Sequence, residues 1–289
     1  MVRKEDIYYD SRDNRTKVHA ISWVPQKGEI KGILQIVHGM AEQIEDYEKF
    51  AEFMGEKGFI IVGNDHLGHG KTVNAEKGKG YFCAKDGATV LVRDVHRLKK
   101  MIQNAYPGRA YIILGYGMGS LIVQKYIMEY GKGIDGAILM GTCRKSDSFL
   151  GWEGLRLKFL TKLRGDNYRG EWMKKRMYMP CEESSFSISL NAYNTVLEMM
   201  DYIQQRENYE NVRKNLPIFL VSGEKDPVGD NGNSVKEFYK MYLELGYKDV
   251  EMKLYPQQAH ELLRGTDREP IYENVAQWIS KIVQQCAEE

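Results

Sequence analysis

Residues 112–123 read IILGYGMGSLIV. An unbroken apolar run, Ile112–Leu114, enters a cluster with glycine at positions 115, 117 and 119, and a second apolar run leaves it. A short continuous run of aliphatic residues describes a strand buried on both faces. Glycines at alternate positions mark a tight turn in which backbone approaches backbone. The stretch therefore predicts a strand, a sharp turn and a helix.

The same grammar extends in both directions. GILQIVHG (32–39), GFIIVGND (58–65), GAILMGTC (136–143), PIFLVSGEKD (217–226) and VEMKLYP (250–256) are further apolar runs, most of them ending in Gly, Asp or a neighbouring His. KVHAISWVP (17–25) alternates and pairs naturally with DIYYDSR (6–12) as an opening antiparallel hairpin. Between them lie helical patterns. DYEKFAEFMGEKG (46–58) closes on a glycine. From Asp86 to Tyr106, Leu91, Val95, Leu98 and Ile102 recur at helical spacing and make one apolar face. NSVKEFYKMYLELG and IYENVAQWISKIVQQC supply two more helices. Strand alternating with helix implies an α/β fold, a mostly parallel sheet of about eight strands flanked by helices. One stretch breaks the rhythm: residues 146–213 contain no convincing strand and are rich in Met, Trp and Phe interleaved with basic residues. They are expected to form a helical cap inserted after the sixth strand, leaving 1–145 and 214–289 as the core. Caps so placed lie over the carboxyl ends of the strands, where open α/β sheets bind ligands.

The 289 residues carry 41 Lys and Arg against 40 Asp and Glu, a net charge of +1, which argues against a nucleic-acid partner. The polar opening MVRKEDIYYDSRDNRTK has no apolar core of a signal peptide. No apolar run is long enough to span a bilayer. Cys83, Cys143, Cys181 and Cys286 are scattered without C-x-x-C pairing, so neither a disulfide framework nor a zinc site is expected, and a reducing cytoplasm fits. No cofactor or metal is expected.

Chemistry-bearing residues fall at the strand ends in a definite order. VHGM (37–40) follows one strand and NDHLGHG (64–70) the next. The glycine turn follows the strand at 112, Asp226 follows the strand at 217, and His260 follows the last. A turn, then Asp, then His is the order of the Ser–Asp–His triad on a nucleophile elbow, G-x-S-x-G. The stretches VHGMAEQIEDYEKFAEFMGEKGFIIVGNDHLGHGKT, LGYGMGS, SGEKDPVG and LYPQQAHELL together resemble an α/β-hydrolase of the monoacylglycerol lipase and lysophospholipase type. They cover nearly the whole chain outside the cap.

The resemblance implies that His260 is a general base oriented by Asp226, and that the backbone N–H groups of Met40 and Met118 form an oxyanion hole. It places Gly39, Tyr116 and Cys143 against the ligand, although Cys143 also reads simply as a small apolar residue closing a strand. His38, His66 and His69 read as loop-structuring residues. The chain departs from the family at its centre. Where the pattern reads G-H-S-M-G, this sequence has Tyr116 for the His and Gly117 for the Ser. Glycine has no attacking oxygen, so no acyl-enzyme forms there. Ser120 lies one helical turn further on and faces elsewhere. Retained Asp226 and His260 fit a recent or deliberate loss of the serine; Tyr116 and the loosely matching cap fit natural divergence.

Three functions follow as expectations. The chain is a lipase-like scaffold, silent or nearly so, binding an acyl ester or other apolar small molecule. Alternatively it is a non-catalytic ligand- or partner-binding protein. The third is slow hydrolysis by water activated at His260–Asp226. GWEGLRLKFLTKLRG (151–165) reads either as a helix packing its apolar side on the core with a solvated basic face, or as a surface that meets lipid.

Overall fold

Strands with apolar residues on both faces need cover on both, and the chain supplies it. The computed structural model describes residues 1–177, 186–210 and 212–288. Its strands are β1 (Val2–Asp10), β2 (Lys17–Pro25), β3 (Gly32–Val37), β4 (Phe59–Asn64), β5 (Tyr111–Tyr116), β6 (Gly136–Met140), β7 (Ile218–Gly223) and β8 (Val250–Tyr255). They form one sheet in the order β1-β2-β4-β3-β5-β6-β7-β8. The opening hairpin is antiparallel, β2 meets β4 antiparallel, and every pair from β4 to β8 is parallel. The residues of β3, β4, β5, β6 and β7 are all buried, whereas edge strand β8 is largely not.

Alternation along each strand divides the core in two. Ile33 and Val37 of β3 join one apolar cluster, Leu34 and Ile36 the other. The first cluster is closed by α2 (Gly87–Ala105), α3 (Met118–Tyr130) and α7 (Asn233–Glu244), the second by α1 (Glu48–Glu56) and α8 (Glu269–Glu288). Leu91, Val95, Leu98 and Ile102 of α2 are all buried, as their spacing predicts. Each such side chain contributes about 1.5–3 kcal/mol relative to exposure.

Between β6 and β7 lie α4 (Asp147–Arg164), α5 (Glu171–Arg176) and α6 (Leu190–Gln204), with no strand among the described residues. Ser146 and Ser189 cap α4 and α6 by accepting from Phe149 N (3.3 Å) and Ala192 N (3.2 Å). α6 buries Tyr193, Val196, Met199 and Ile203. The insertion is tied to the loop after β4 by several hydrogen bonds. Gly80 O accepts from both the Ser189 amide (2.9 Å) and its hydroxyl (2.8 Å), and Arg169 Nη2 donates to Lys77 O (2.7 Å) and Lys79 O (2.9 Å). α4 divides its apolar residues between core and solvent. It buries Leu150 and Leu157 but leaves Trp152, Leu155, Phe159 and Leu163 among its basic residues on the solvent side. Among the described residues no helix is long and apolar enough to cross a membrane. Cys181 lies outside the described residues; Cys83 and Cys143 are free thiols.

Candidate active site

Parallel register brings the carboxyl ends of β3, β5, β6 and β7 side by side, with Val37 opposite Gly115 and Tyr116 opposite Met140. The turn from β5 into α3 pivots on Gly117, at φ +52° and ψ −117°. Its amide donates to Met140 O (2.9 Å), and its carbonyl accepts from the Ser120 amide (3.0 Å) and hydroxyl (2.6 Å). Ser120 is therefore committed to the turn and takes no part in the cleft above it. A non-glycine residue held at such angles carries about 1–3 kcal/mol of strain. Gly119 is required for a different reason. A Cβ there would stand 1.8 Å from Val37 O, so only glycine lets α3 start against the end of β3.

His260 and Asp226 converge on this turn. His260 Nδ1 lies 2.9 Å from Asp226 Oδ2, and the other Asp226 oxygen accepts from the amides of Val228 (2.9 Å) and Gly229 (3.3 Å). With Nδ1 committed to the carboxylate, Nε2 points at position 117, 3.2 Å from where a Cβ of residue 117 would stand. Burial alone would lower the imidazole pKa. The hydrogen bond and charge of Asp226, supported by Glu42 and Glu261, outweigh it and hold the pKa above the usual histidine value.

A second network fixes the His260 loop from below. Tyr116 was expected to touch ligand, but it is buried and does not line the cleft. Its hydroxyl donates to His260 O and accepts from Leu262 N (3.1 Å). The reason is geometric: as the last residue of a central strand it points down into the core beneath the histidine loop. Gly39, by contrast, lies beside position 117. Its Cα lies 3.8 Å from the Cβ position of residue 117, and its amide donates to Glu42 Oε2 (2.7 Å). Glu42 is buried, accepts from Tyr47 Oη (2.6 Å), and pairs with Arg264 Nη2 (2.7 Å), which also pairs with Glu261 (2.6 Å). Burial raises the Glu261 carboxyl above its ordinary range, and Arg264 only partly offsets this.

Met40, Gly117, Met118, Cys143 and His260 do line one cleft. Met118 is the first residue of α3, so its amide is one of the donors a helix leaves unpaired. Leu121, Phe149, Val196, Leu197 and Met200 make the walls apolar, while Lys145 and Arg176 add positive charge. The cleft encloses about 730 Å³ between atoms, solvent at its mouth included. Burial pushes the Cys143 thiol up to about 12, so it stays protonated and is no substitute nucleophile. His38 Nε2 accepts from His66 N (3.0 Å), leaving Nδ1–H to donate to Gly39 O (2.8 Å) and so shape the loop that carries Met40. His38, His66 and His69 are all buried and packed ring against ring.

Residues 28–267 match the family described as serine aminopeptidase, S33 (Hydrolase_4). The chain belongs to this family. Its fold is that of an α/β-hydrolase. A monoglyceride lipase homolog of monkeypox virus is 22% identical over 259 residues, spanning 86% of this chain and 89% of that protein. A thermostable carboxyl esterase from Bacillus coagulans, solved in complex with glycerol, superposes at a TM-score of 0.86 with 26% identity, covering 98% of this chain and all of the other. A soluble variant of monoglyceride lipase from Saccharomyces cerevisiae, in complex with a substrate analog, gives 0.76 at 18% identity, covering 98% of this chain and 96% of that one. The esterase and the yeast enzyme share the fold described above.

Proposed function

We propose that this S33-family chain is an ester-hydrolase scaffold of the monoacylglycerol lipase type that binds an acyl ester or other apolar ligand beneath residues 146–213, which act as its cap, and that it does not turn esters over through an acyl-serine. The observation that carries this reading is the Asp226–His260 pair, aimed at a residue without a side chain on the floor of an apolar cleft. With a serine at 117, His260 Nε2 would take the hydroxyl proton as the oxygen attacked the ester carbonyl. Asp226 would stabilise the imidazolium, and the Met118 and Met40 amides would receive the oxyanion. With glycine there, the same groups bind and polarise an ester but offer no protein oxygen to attack it.

The test is ester hydrolysis by Gly117→Ser beside the unmodified chain, on short acyl esters and a monoacylglycerol. Activity that appears only with the serine supports the reading. No turnover by either protein, and no ester binding, overturns it. The serine Cβ would meet His260 Nε2 at 3.2 Å, so the ring must yield by a few tenths of an ångström to admit it. A second reading, slow hydrolysis by a water held at position 117, is favoured by the open line from Nε2 to that position. His260→Ala abolishes such turnover if it exists; unchanged turnover in that variant sinks the idea.

The partners follow from the same surfaces. Trp152, Leu155, Phe159 and Leu163, interleaved with Arg156, Lys158 and Lys162, suit contact with an anionic lipid surface. A cytoplasmic setting suits the free thiols of Cys83 and Cys143.

A further inference from the structure

The glycine at 117 does more than remove an oxygen. It leaves a space that has a donor-capable imidazole on one side and a helix-opening amide on the other. His260 Nδ1 is committed to Asp226 at 2.9 Å, so Nε2 is the ring atom that faces this space, 3.2 Å from the missing Cβ. Met118 and Met40 line the same cleft, and Leu121, Val196 and Met200 make it apolar beyond them. We infer that the cleft is a receptor for the carboxylate of a fatty acid, one oxygen standing where a serine hydroxyl would stand against His260 Nε2–H and the other at the Met118 amide. The inference rests on the reading of the cleft as an acyl site and names its ligand class.

The chemistry discriminates between acid and ester. With the ring protonated, Nε2–H donates to an ester carbonyl or to a carboxylate, but only the carboxylate sets an opposite full charge against the imidazolium. With the ring neutral, its Nε2 lone pair faces a lone pair of either ligand, and only the carboxylate gains by drawing a proton onto the ring. The groups around the imidazole favour its charged form. Asp226 reaches it from the loop after β7. Glu42, from the loop after β3, and Glu261, on its own loop, add negative charge shared with Arg264. Tyr116 of β5 stays protonated beneath it, and Cys143 stays a neutral thiol. Lys145 and Arg176 bring positive charge to the cleft that receives the ligand's negative one, and Glu42, which also lines it, has its charge held by Arg264. Above the imidazolium pKa, binding therefore carries one proton into the site and affinity falls about tenfold per pH unit.

The experiment compares octanoate, methyl octanoate and 1-octanol on the full chain, by titration at pH 6 and pH 8.5 with the His260 ring signals followed by NMR. The expected result is octanoate bound about tenfold or more tighter than the ester at pH 6, where the ring is already protonated, with a ratio that shrinks at pH 8.5, where the ring takes up a proton on binding. His260→Gln collapses the ratio, Asp226→Asn reduces it, and Gly117→Ser weakens octanoate by refilling the space. Equal binding of acid and ester at both pH values, or a ratio that survives in His260→Gln, overturns the carboxylate inference and leaves the acyl cleft standing. If none of the three ligands binds, the acyl cleft itself is wrong, and this inference falls with it.

Discussion

Around His260, charged side chains are buried against partners: Asp226 against the ring and two amides, Glu42 against Gly39 N, Tyr47 and Arg264. Along α4 the disposition is reversed. Trp152, Leu155, Phe159 and Leu163 are 76, 63, 68 and 64% exposed, and basic residues stand beside them. Burying charge costs stability and is tolerated where partners hold it in one geometry. Exposing large apolar groups adds nothing to the folded state, and contact with a lipid surface is the role proposed for them. The floor of the cleft is built for position, and the proposed task of the outer face of α4 is contact.

The largest test of this contrast is on the floor. In a Gly117→Ser background, Asp226→Asn lowers kcat by about 10⁴, because the imidazole loses the partner that sets its tautomer. A loss below tenfold would mean that the pair is structural only. Next, Arg264→Met leaves Glu42 buried without its cation and costs about 3–5 kcal/mol in urea unfolding. Tyr116→Phe deprives Leu262 N of its acceptor and His260 O of a donor. It costs about 1–3 kcal/mol, and with serine at 117 it lowers kcat with KM little changed.

Acid provides a fourth test. Burial holds His66 well below the usual histidine value and His69 down at about 3. Below pH 6.5 the unfolded chain binds protons that these rings refuse, so stability falls by about 1.4 kcal/mol per pH unit for each ring. Asp94 works in the opposite sense, since burial raises its carboxyl to about 6 and the folded state protonates first. Urea midpoints should therefore fall from pH 6.5 to pH 5, and fall more steeply in Asp94→Asn. The smallest effect on stability belongs to α4. Trp152→Ser with Phe159→Ser changes it by within about 0.5 kcal/mol while reducing binding to anionic vesicles; undiminished vesicle binding removes the proposed role of this face.

Most of the sheet was legible because burial on both faces leaves a local signature. Ile112–Leu114 or Ile60–Val62 could be little else, and the alternation in 17–25 announced the hairpin. The relation of Asp226 to His260 was legible through chain order alone. What escaped was long-range. Glu42 and Arg264 are 222 residues apart and separately resemble ordinary surface charges. The resemblance places Tyr116 against ligand, yet one strand residue before the turn the side chain points into the core. On α4, Trp152, Leu155, Phe159 and Leu163 recur at 3, 4 and 4 residues, the spacing of a core-facing stripe. Periodicity shows that a face exists and is silent on which way it turns.

The loop after β4 has a consequence for selectivity. Gly80 O grips the start of α6, and Lys77 O and Lys79 O grip Arg169 ahead of α5, so the roof of the cleft hangs from a bracket that belongs to the sheet. The gauge of the cleft is thus set at a distance from every residue that lines it. Lengthening or shortening residues 77–80 would re-size the molecules admitted without altering one atom of the wall they touch.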